Sequence, residues 1–210
     1  MTTGPLITGV DDTGNGSARR RRVDPERRAQ LLKDLEELVL AEGFLALSMD
    51  DLAHRLHCSK ATLYSVAGNK EQLVVALTKG FFRQATEQIE HAVAEVADPR
   101  LRIPAYLSGV GRAMSRCSTQ FYADMIGLRS TASIYRTNSA AAARRVQELI
   151  AEGVKEGALR SIDGNFAGQL VALAIEGVQS GVLLQGGLSA GEAYTEMADL
   201  LLHGLSAPPA

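Results

Sequence analysis

Residues 48–73 read SMDDLAHRLHCSKATLYSVAGNKEQL, and this stretch decides the fold. Ser48, followed three residues later by an acidic residue, has the form of a helix N-cap that opens a short apolar run ending near Leu56. Ser59 predicts a second cap, with a helix over residues 60–66. A turn of about three residues separates the two short helices, which is the spacing of a helix-turn-helix. The stretch therefore predicts a helix-turn-helix unit.

The sequence on both sides of this unit is also helical. Asp24-Pro25 predicts the N-cap and first residue of a helix over residues 25–42, which Gly43 ends. An apolar stripe from Leu73 to Val96 predicts one long helix directly after the unit. Five further helical patterns follow, without any strand periodicity, near residues 101–117, 119–136, 139–157, 164–186 and 190–205. We therefore predict an all-α fold of about nine helices.

The spaced pattern of Ser, Asp-Leu-Ala, Ser-Lys-Ala-Thr-Leu-Tyr and Lys-Glu-x-Leu within residues 48–73 resembles the tetracycline-repressor (TetR) family of transcriptional regulators. The resemblance is close from the first helix to the start of the fourth, and the nine-helix plan fits the remainder loosely. It implies a homodimer with an N-terminal helix-turn-helix domain and a C-terminal helical domain for ligand binding and dimerisation. The corresponding division is a flexible basic arm (1–23), a DNA-binding domain (24–70) and an effector-binding and dimerisation domain (71–210).

The second helix of a helix-turn-helix enters the major groove by its N-terminal residues. We therefore expect Lys60, Ala61 and Thr62 to face base edges, with Lys donating to guanine and the methyl groups contacting thymine. Hydroxyl groups and helix N-termini suit phosphate oxygens. The candidate phosphate contacts are Ser48, Ser59, Tyr64, Ser65 and Lys70, joined by Arg19, Arg20, Arg21 and Arg22 of the arm, which suit a minor groove.

Each of these residues taken alone is better explained as a cap, a solvated lysine or a solvated tail. Taken as a spaced set beside an arginine run, they favour a double-stranded operator DNA as the partner. The predicted function is accordingly a ligand-responsive repressor that a small molecule releases from a palindromic operator.

Three positions depart from the usual family pattern. His57 stands where Gly is usual in the turn, and it must adopt whatever left-handed backbone the turn requires. Val66 stands where His is common, and Ala67 where an aromatic residue is usual. The changes at Val66 and Ala67 leave open an alternative: the chain is a helical small-molecule-binding protein of the same fold that no longer recognises an operator.

The charge of the chain is unevenly distributed. With 22 Lys+Arg and 24 Asp+Glu among 210 residues, the net charge is -2, which by itself indicates no nucleic-acid partner. Residues 17–83, however, carry 12 Lys+Arg against 9 Asp+Glu, while residues 84–210 carry 10 against 13.

The two cysteines are far apart, and residues 1–16 lack the pattern of a signal peptide, so we expect a cytoplasmic protein.

Two chemical alternatives are weak. Residues 187–191, GLSAG, match the Gly-x-Ser-x-Gly nucleophile elbow, but that motif needs a preceding strand, so Ser189 is better explained as the N-cap of the last helix. His54, His57 and Cys58 are too few for a metal site without a fourth ligand. We therefore expect no enzyme activity, no metal and no cofactor.

The C-terminal helices supply the remaining predictions. The stretch 166–188 is apolar enough to suggest a membrane span, but Glu176 and three glutamines within it argue against contact with lipid. The helix is expected to pack against other protein surfaces instead. We therefore predict a homodimer through residues 166–205 and no membrane contact. The effector is expected to be apolar or aromatic, with a cationic or hydrogen-bonding group for Glu176. Residues of the middle helices are candidates for its pocket, although such residues more often form ordinary core: Tyr106, Met114, Phe121, Met125 and Tyr135.

Overall fold

The computed structural model describes residues 25–188 and 190–205. Within them lie nine α-helices and one short 3-10 helix, in agreement with the predicted all-α fold. The α-helices are α1 (Pro25–Glu42), α2 (Met49–Arg55), α3 (Lys60–Val66), α4 (Lys70–Ala94), α5 (Pro99–Met114), α6 (Thr119–Gly127), α7 (Arg129–Lys155), α8 (Gly164–Gln179) and α9 (Ala190–Leu205), and the 3-10 helix covers Val182–Leu184.

Helix α1 has the bounds that its sequence predicts and packs against α4 and α6. Leu35 and Val39 lie on its buried face. Gly43 ends the helix at φ +81°, a left-handed conformation that L side chains rarely adopt. A Cβ atom at this position would also lie only 2.6 Å from the Asp124 carboxylate of α6. The turn after α1 therefore needs glycine for both its backbone and its close contact with α6.

Helix α4 connects the N-terminal helices to the rest of the molecule. Its 25 residues span about 37 Å at 1.5 Å per residue. Asn69 caps it, since the Gln72 amide donates to Asn69 Oδ1 at 2.8 Å. Buried side chains run along most of its length, from Leu73 to Val93. One continuous element therefore begins beside the helix-turn-helix and ends inside the C-terminal bundle.

Helix α5 is the centre of the C-terminal bundle, where it packs against α4, α7 and α9. Leu107 is fully buried on it. Gly111 brings α9 close, because a Cβ atom there would lie 3.0 Å from the Tyr194 Cβ. The bundle is completed by α7 packing on α8.

Two predicted helix limits are wrong. The expected break near Asn138 is absent, because its side-chain amide donates to the Ile134 carbonyl at 2.8 Å and stays within a continuous α7. The chain breaks at Leu128 instead, whose backbone is extended at φ -95° and ψ 119°. Helix α8 ends at Gln179 rather than near residue 186, because Gly181 adopts φ +80°.

Helices α8 and α9 leave an apolar surface uncovered in the single chain. Phe166, Leu170 and Leu173 recur at helical spacing on α8 and are 63%, 51% and 66% exposed, while Leu200 on α9 is 73% exposed. None of the described helices combines the length and the low charge that a bilayer crossing would require. A contiguous apolar face of this kind marks an interaction surface.

Candidate nucleic-acid interface and ligand cavity

Side-chain caps fix both short helices of the helix-turn-helix. At α2, the Asp51 amide donates to Ser48 Oγ at 3.1 Å, while the Asp51 carboxylate accepts from the Ser48 amide at 2.8 Å. The predicted capping box is thereby confirmed, and its hydrogen bonds from Ser48 lower the pKa of Asp51. At α3, the Thr62 amide donates to Ser59 Oγ at 3.1 Å. The start of each helix is therefore set by its own sequence.

The turn between the two helices has a left-handed residue. His57 adopts φ 48° where glycine would be free of strain, as the sequence predicted. The turn is closed by backbone bonds, since the His57 amide donates to the His54 carbonyl at 3.2 Å and the Cys58 amide to the Ala53 carbonyl at 3.0 Å. The left-handed conformation of His57 is unfavourable for a residue with a side chain, and it forms the turn that connects α2 to α3.

Helix α3 has one buried face and one exposed face. Leu63 is fully buried and anchors the helix to the core. Tyr64 is 50% exposed, so its ring and hydroxyl are accessible. The other candidate contacts on α3 and at its start are exposed as well, apart from the half-buried Thr62; they are Ser59, Lys60, Ala61 and Ser65. Most of the predicted base and phosphate contacts of α3 are therefore accessible to a partner.

Both lysines of the predicted interface already have partners within the chain. Lys60 Nζ lies 2.6 Å from Asp50 Oδ2, and the hydrogen bond that it donates to Asp50 raises the pKa of Lys60. Lys70 Nζ donates to the Leu45 carbonyl at 2.9 Å. Asp50 was not among the predicted site residues, and no local spacing rule links a residue in the first turn of α2 to the first residue of α3. A base contact by Lys60 therefore requires exchange of its ion pair with Asp50.

The family departures at Val66 and Ala67 lie against the core. Both side chains are half-buried and pack beside the buried residues. The two apolar side chains therefore contribute to the packing around the core. Arg19 to Arg22 and Ser189 lie outside the described residues, and so the structure does not place the predicted arm or the last predicted cap.

Asp124 on α6 holds the turn that follows α1. Its Oδ2 accepts from the amides of Phe44 and Leu45 at 2.6 and 2.7 Å, and its Oδ1 accepts from Gln120 Nε2 at 2.7 Å. The side chain is only 3% exposed, so these hydrogen bonds offset the cost of burying a carboxylate. Arg116, which precedes α6, also lies 2.7 Å from Glu36 of α1. Helix α1 and the turn that follows it are thereby joined to α6 and to the residues just before α6.

A cavity of about 340 Å³ lies between α4, α5, α7 and α8. Its volume is at the lower end of the range for small-molecule pockets. Most of the wall is apolar or aromatic, and the side chains that form this part include Phe81, Phe82, Ile89, Val110, Met114 and Ile175. The arrangement suits an apolar small molecule.

The predicted ligand residues divide into two groups. Tyr106, Met114 and Tyr135 line the cavity, as expected of a pocket on the middle helices. Phe121 and Met125 do not line it and are 1% and 0% exposed within the core, where Phe121 packs edge-to-face with Phe81 at a centroid distance of 6.4 Å. Aromatic and Met side chains at helical spacing are core residues as readily as pocket residues, so spacing alone did not separate the two groups.

The prediction for Glu176 requires correction. Its side chain is exposed on α8 and does not line the cavity, so it is not a carboxylate within an apolar surrounding. The apolar composition of α8 reflects its uncovered outer face. The cavity instead takes Ile175 and Gln179 from this helix, and Gln179 bonds to the Tyr135 hydroxyl.

The cavity wall also holds charged groups that sequence analysis missed. Two carboxylates and two guanidinium groups line it: Glu90, Glu148, Arg144 and Arg145. Arg145 Nε lies 3.1 Å from Glu90 Oε1, and Arg145 Nη1 lies 3.3 Å from Glu148 Oε2. Burial, followed by the charge of Glu90, raises the pKa of the Tyr106 hydroxyl to about 12. In the sequence, these charges have the ordinary pattern of a solvated helix face, and only packing brings them together.

Across residues 25–188 and 190–205, no group of three or more His, Cys, Asp and Glu side chains is arranged to hold a metal ion. Burial raises the pKa of both thiols, that of Cys117 to about 12. Neither thiol therefore has the lowered pKa that activates a cysteine nucleophile.

Comparison with solved structures places the whole fold. A TetR/AcrR-family transcriptional regulator from Thermobifida fusca shares 28% identity, with a TM-score of 0.66, over 85% of this chain and 98% of that one. A transcriptional regulator from Saccharomonospora viridis, in complex with choline, shares 18% identity with a TM-score of 0.73 over 88% and 100% of the two chains. The ketosteroid transcriptional regulator KstR2 of Mycobacterium tuberculosis shares 18% identity with a TM-score of 0.62 over 88% and 97%.

Comparison of sequences identifies the N-terminal unit. No curated protein matches the chain. Residues 31–77, from α1 into α4, match the family described as bacterial regulatory proteins of the tetR family. This segment contains the capped α2 and α3 and the exposed face of α3 described above. The helix-turn-helix segment is thus that of the tetR family of bacterial regulatory proteins, and the described helices have the fold of a TetR/AcrR-family transcriptional regulator.

Proposed function

We propose that this chain is a ligand-responsive repressor, which binds a palindromic operator as a homodimer and is released when a small molecule occupies the cavity. Residues 24–70 form the DNA-binding domain in this proposal, and residues 71–210 bind the effector and dimerise. A cytoplasmic location follows from the function.

The observation that carries the proposal is that α4 is both the first helix after α3 and a wall of the cavity. Phe81, Phe82 and Ile89 of α4 line the cavity. At the other end of the same helix, Lys70 Nζ donates to the carbonyl of Leu45, in the turn between α1 and α2. A molecule that displaces the cavity wall therefore displaces α4, whose N-terminal end is hydrogen-bonded to the turn before the DNA-binding helices.

A second chain of contacts runs through α6. Phe81 packs edge-to-face with Phe121 at 6.4 Å, and Phe121 packs edge-to-face with Phe44 at 6.0 Å. Phe44 lies in the turn that Asp124 holds through two backbone amides. Close-packed contacts of this kind transmit a displacement, because there is little empty space to absorb it.

The uncovered faces of α8 and α9 support the dimer. Obligate homodimer interfaces are large and apolar, which fits the exposed Phe166, Leu170, Leu173 and Leu200. Operator half-sites lie about 34 Å apart, so a two-fold dimer must hold its two copies of α3 at that separation. A tilt of α4 changes this separation and weakens binding to both half-sites together.

Small-molecule binding by this fold has a precedent among the structural relatives. The regulator from Saccharomonospora viridis is in complex with choline, and that of Mycobacterium tuberculosis is described as a ketosteroid regulator. Both observations support an effector for this chain without giving its identity.

The experiment begins with selection of bound fragments from a random-sequence duplex library, which should yield a palindrome. Metabolites are then screened by thermal shift, and each hit is titrated with and without the selected operator. A coupling of about 1 to 3 kcal/mol lowers operator affinity by about 5- to 150-fold, and saturating operator must lower ligand affinity by the same factor. Equal ligand affinity in both titrations would refute release by that compound.

A cavity-filling variant makes the mechanism testable. Ala142 lines the cavity on α7, and Ala142→Phe should block the ligand while the helix-turn-helix remains intact. We expect this variant to retain operator affinity within about twofold and to lose its response to the ligand. Ala151→Phe, at an exposed position of the same helix, is the matched control and should respond normally. Both are measured by fluorescence anisotropy with labelled operator.

The alternative, a ligand-binding protein without operator reading, gives a different result. It would bind ligands by thermal shift but select no palindrome from the library. The half-buried positions of Val66 and Ala67 favour the repressor, because both departures pack against the core and leave the exposed face of α3 unchanged.

A further inference from the structure

Asp50 is an exposed carboxylate beside the lysine that we expect to contact a base. Its Oδ2 lies 2.6 Å from Lys60 Nζ, and the side chains of Asp50 and Lys60 are 62% and 60% exposed. The carboxylate therefore shares an accessible surface with the first residue of α3. A DNA duplex carries one negative charge for about every 1.7 Å of its axis, so it repels a carboxylate at this surface.

The fold gives little reason for a carboxylate at this position. Its neighbour Asp51, and not Asp50, closes the capping box of α2, by accepting from the Ser48 amide at 2.8 Å and from the Ser48 hydroxyl at 2.6 Å. An exposed ion pair and an acidic residue in the first turn of a helix each contribute little to stability. The placement of Asp50 is therefore better explained by the surface that it faces than by the fold.

The other cations of the helix-turn-helix have different partners. Arg55 pairs with Glu42 of α1, and Lys70 donates to the Leu45 carbonyl at 2.9 Å. Residues 48–70 contain no Lys or Arg besides these two and Lys60. Within the described helix-turn-helix, Asp50 therefore depends on Lys60 for its counter-charge.

Asp50 competes with phosphate groups for the Lys60 ammonium group. In order to neutralise a phosphate, Lys60 has to leave the carboxylate with which it is paired. The exchange leaves Asp50 unpaired beside a polyanion, and such a juxtaposition of like charges is unfavourable. The gain at Lys60 is then offset by a loss at Asp50, so the pair disfavours contacts that any sequence of DNA can supply.

A G·C base pair, in contrast, offers a partner to each of the two side chains. In the major groove, guanine presents the acceptors O6 and N7, and cytosine presents its N4 amino group as a donor. Guanine O6 and cytosine N4 are hydrogen-bonded to each other and therefore about 3 Å apart, which is close to the 2.6 Å between Lys60 Nζ and Asp50 Oδ2. When the two side chains exchange each other for these base atoms, neither charge is left unpaired.

We propose that Asp50 is a specificity-determining residue, whose carboxylate keeps Lys60 from phosphates and accepts from cytosine N4 when Lys60 donates to the paired guanine. Asp50 and Lys60 together then recognise one G·C base pair in each half-site. This inference rests on the proposed recognition of an operator by α3, and it names a second residue and the base pair that take part in it.

Affinities for two duplexes test the role of Asp50. The full chain and its variants are titrated by fluorescence anisotropy with the palindrome selected from the random library and with a scrambled duplex of the same composition. Asp50→Ala should bind the scrambled duplex more tightly and with a salt slope steeper by about one, because Lys60 is free to neutralise a phosphate. It should bind the palindrome no more tightly than the wild type does, because the contact with cytosine is lost.

The ratio of the two affinities should therefore fall by at least about fivefold, the lower limit for one base contact. Equal gains in affinity on both duplexes would show a general charge repulsion, and equal losses would show damage to the fold. Either result would overturn the proposal.

Two further variants separate the carboxylate of Asp50 from other effects. Glu37→Ala is the matched control, because Glu37 forms an equally exposed ion pair with Lys33 on α1, and it should keep the wild-type ratio. Asp50→Asn preserves the shape of the side chain and one acceptor oxygen, so its ratio should lie between those of Asp50→Ala and the wild type. An Asn variant with wild-type affinities for both duplexes would contradict a role of the charge.

Repeated selection from the random library tests the base pair itself. The Asp50→Ala and Lys60→Ala chains should each lose their preference at the same position of each half-site, and that position should be a G·C pair in the wild-type palindrome. A loss of preference at two different positions, or at an A·T pair, would overturn the assignment.

Failure of this inference is distinguishable from failure of the proposed function. A wild-type chain that selects no palindrome refutes operator recognition and the role of Asp50 with it. A wild-type chain that selects a palindrome, together with an unchanged ratio of affinities in Asp50→Ala, refutes the role of Asp50 alone.

Discussion

At the scale of single residues, Asp124 is the side chain that joins the two parts of the molecule. It is buried, and its carboxylate accepts from the amides of Phe44 and Leu45 and from Gln120. The bonded amides lie in the turn that positions α2. A buried carboxylate that serves two backbone amides cannot be replaced without leaving donors unpaired.

Replacement of Asp124 by Ala should therefore destabilise the fold by about 2 to 4 kcal/mol, measured by urea denaturation. Asp163→Ala is the control, because Asp163 caps α8 from an exposed position with one bond to the Phe166 amide and should cost only about 1 kcal/mol. Equal losses for the two variants would show that Asp124 is an ordinary cap.

At the scale of elements, the bounds of the N-terminal helices could be predicted well from local sequence signals. The bounds of α1 and α3 agree with prediction, because Pro25, Gly43 and the Ser59 cap act through their immediate neighbours. The break predicted at Asn138 failed because its side chain bonds back to the preceding turn of α7. No pattern in the sequence distinguishes that arrangement from a helix end.

The candidate site could be predicted to a lesser extent. The candidate DNA contacts on α3 could be predicted, because a helix-turn-helix presents the N-terminal residues of its second helix and this is a local property of the sequence. The charged part of the cavity wall joins Glu90 of α4 with Arg144, Arg145 and Glu148 of α7, so it exists only after the helices pack. Glu176 was chosen because its segment is apolar, but that surface faces outward in the single chain.

At the scale of the whole molecule, the exposed apolar faces of α8 and α9 predict self-association. Leu173→Arg places a charge in the centre of this surface and should convert the dimer into a monomer of 22.4 kDa, measured by light scattering at micromolar concentration. Gln84→Arg, at an exposed position of α4, is the control and should leave the dimer intact. A wild-type chain that is monomeric in the same measurement would contradict the dimer.

Sequence-specific recognition of DNA by α3 is the central claim, and the affinity of Lys60→Ala for the selected palindrome tests it most directly. Fluorescence anisotropy should show a loss of about 5- to 150-fold, together with a relaxed preference at one base pair of each half-site. Lys155→Ala, at the end of α7, should bind like the wild type. Unchanged affinity and unchanged preference in Lys60→Ala would contradict the placement of α3 in the major groove.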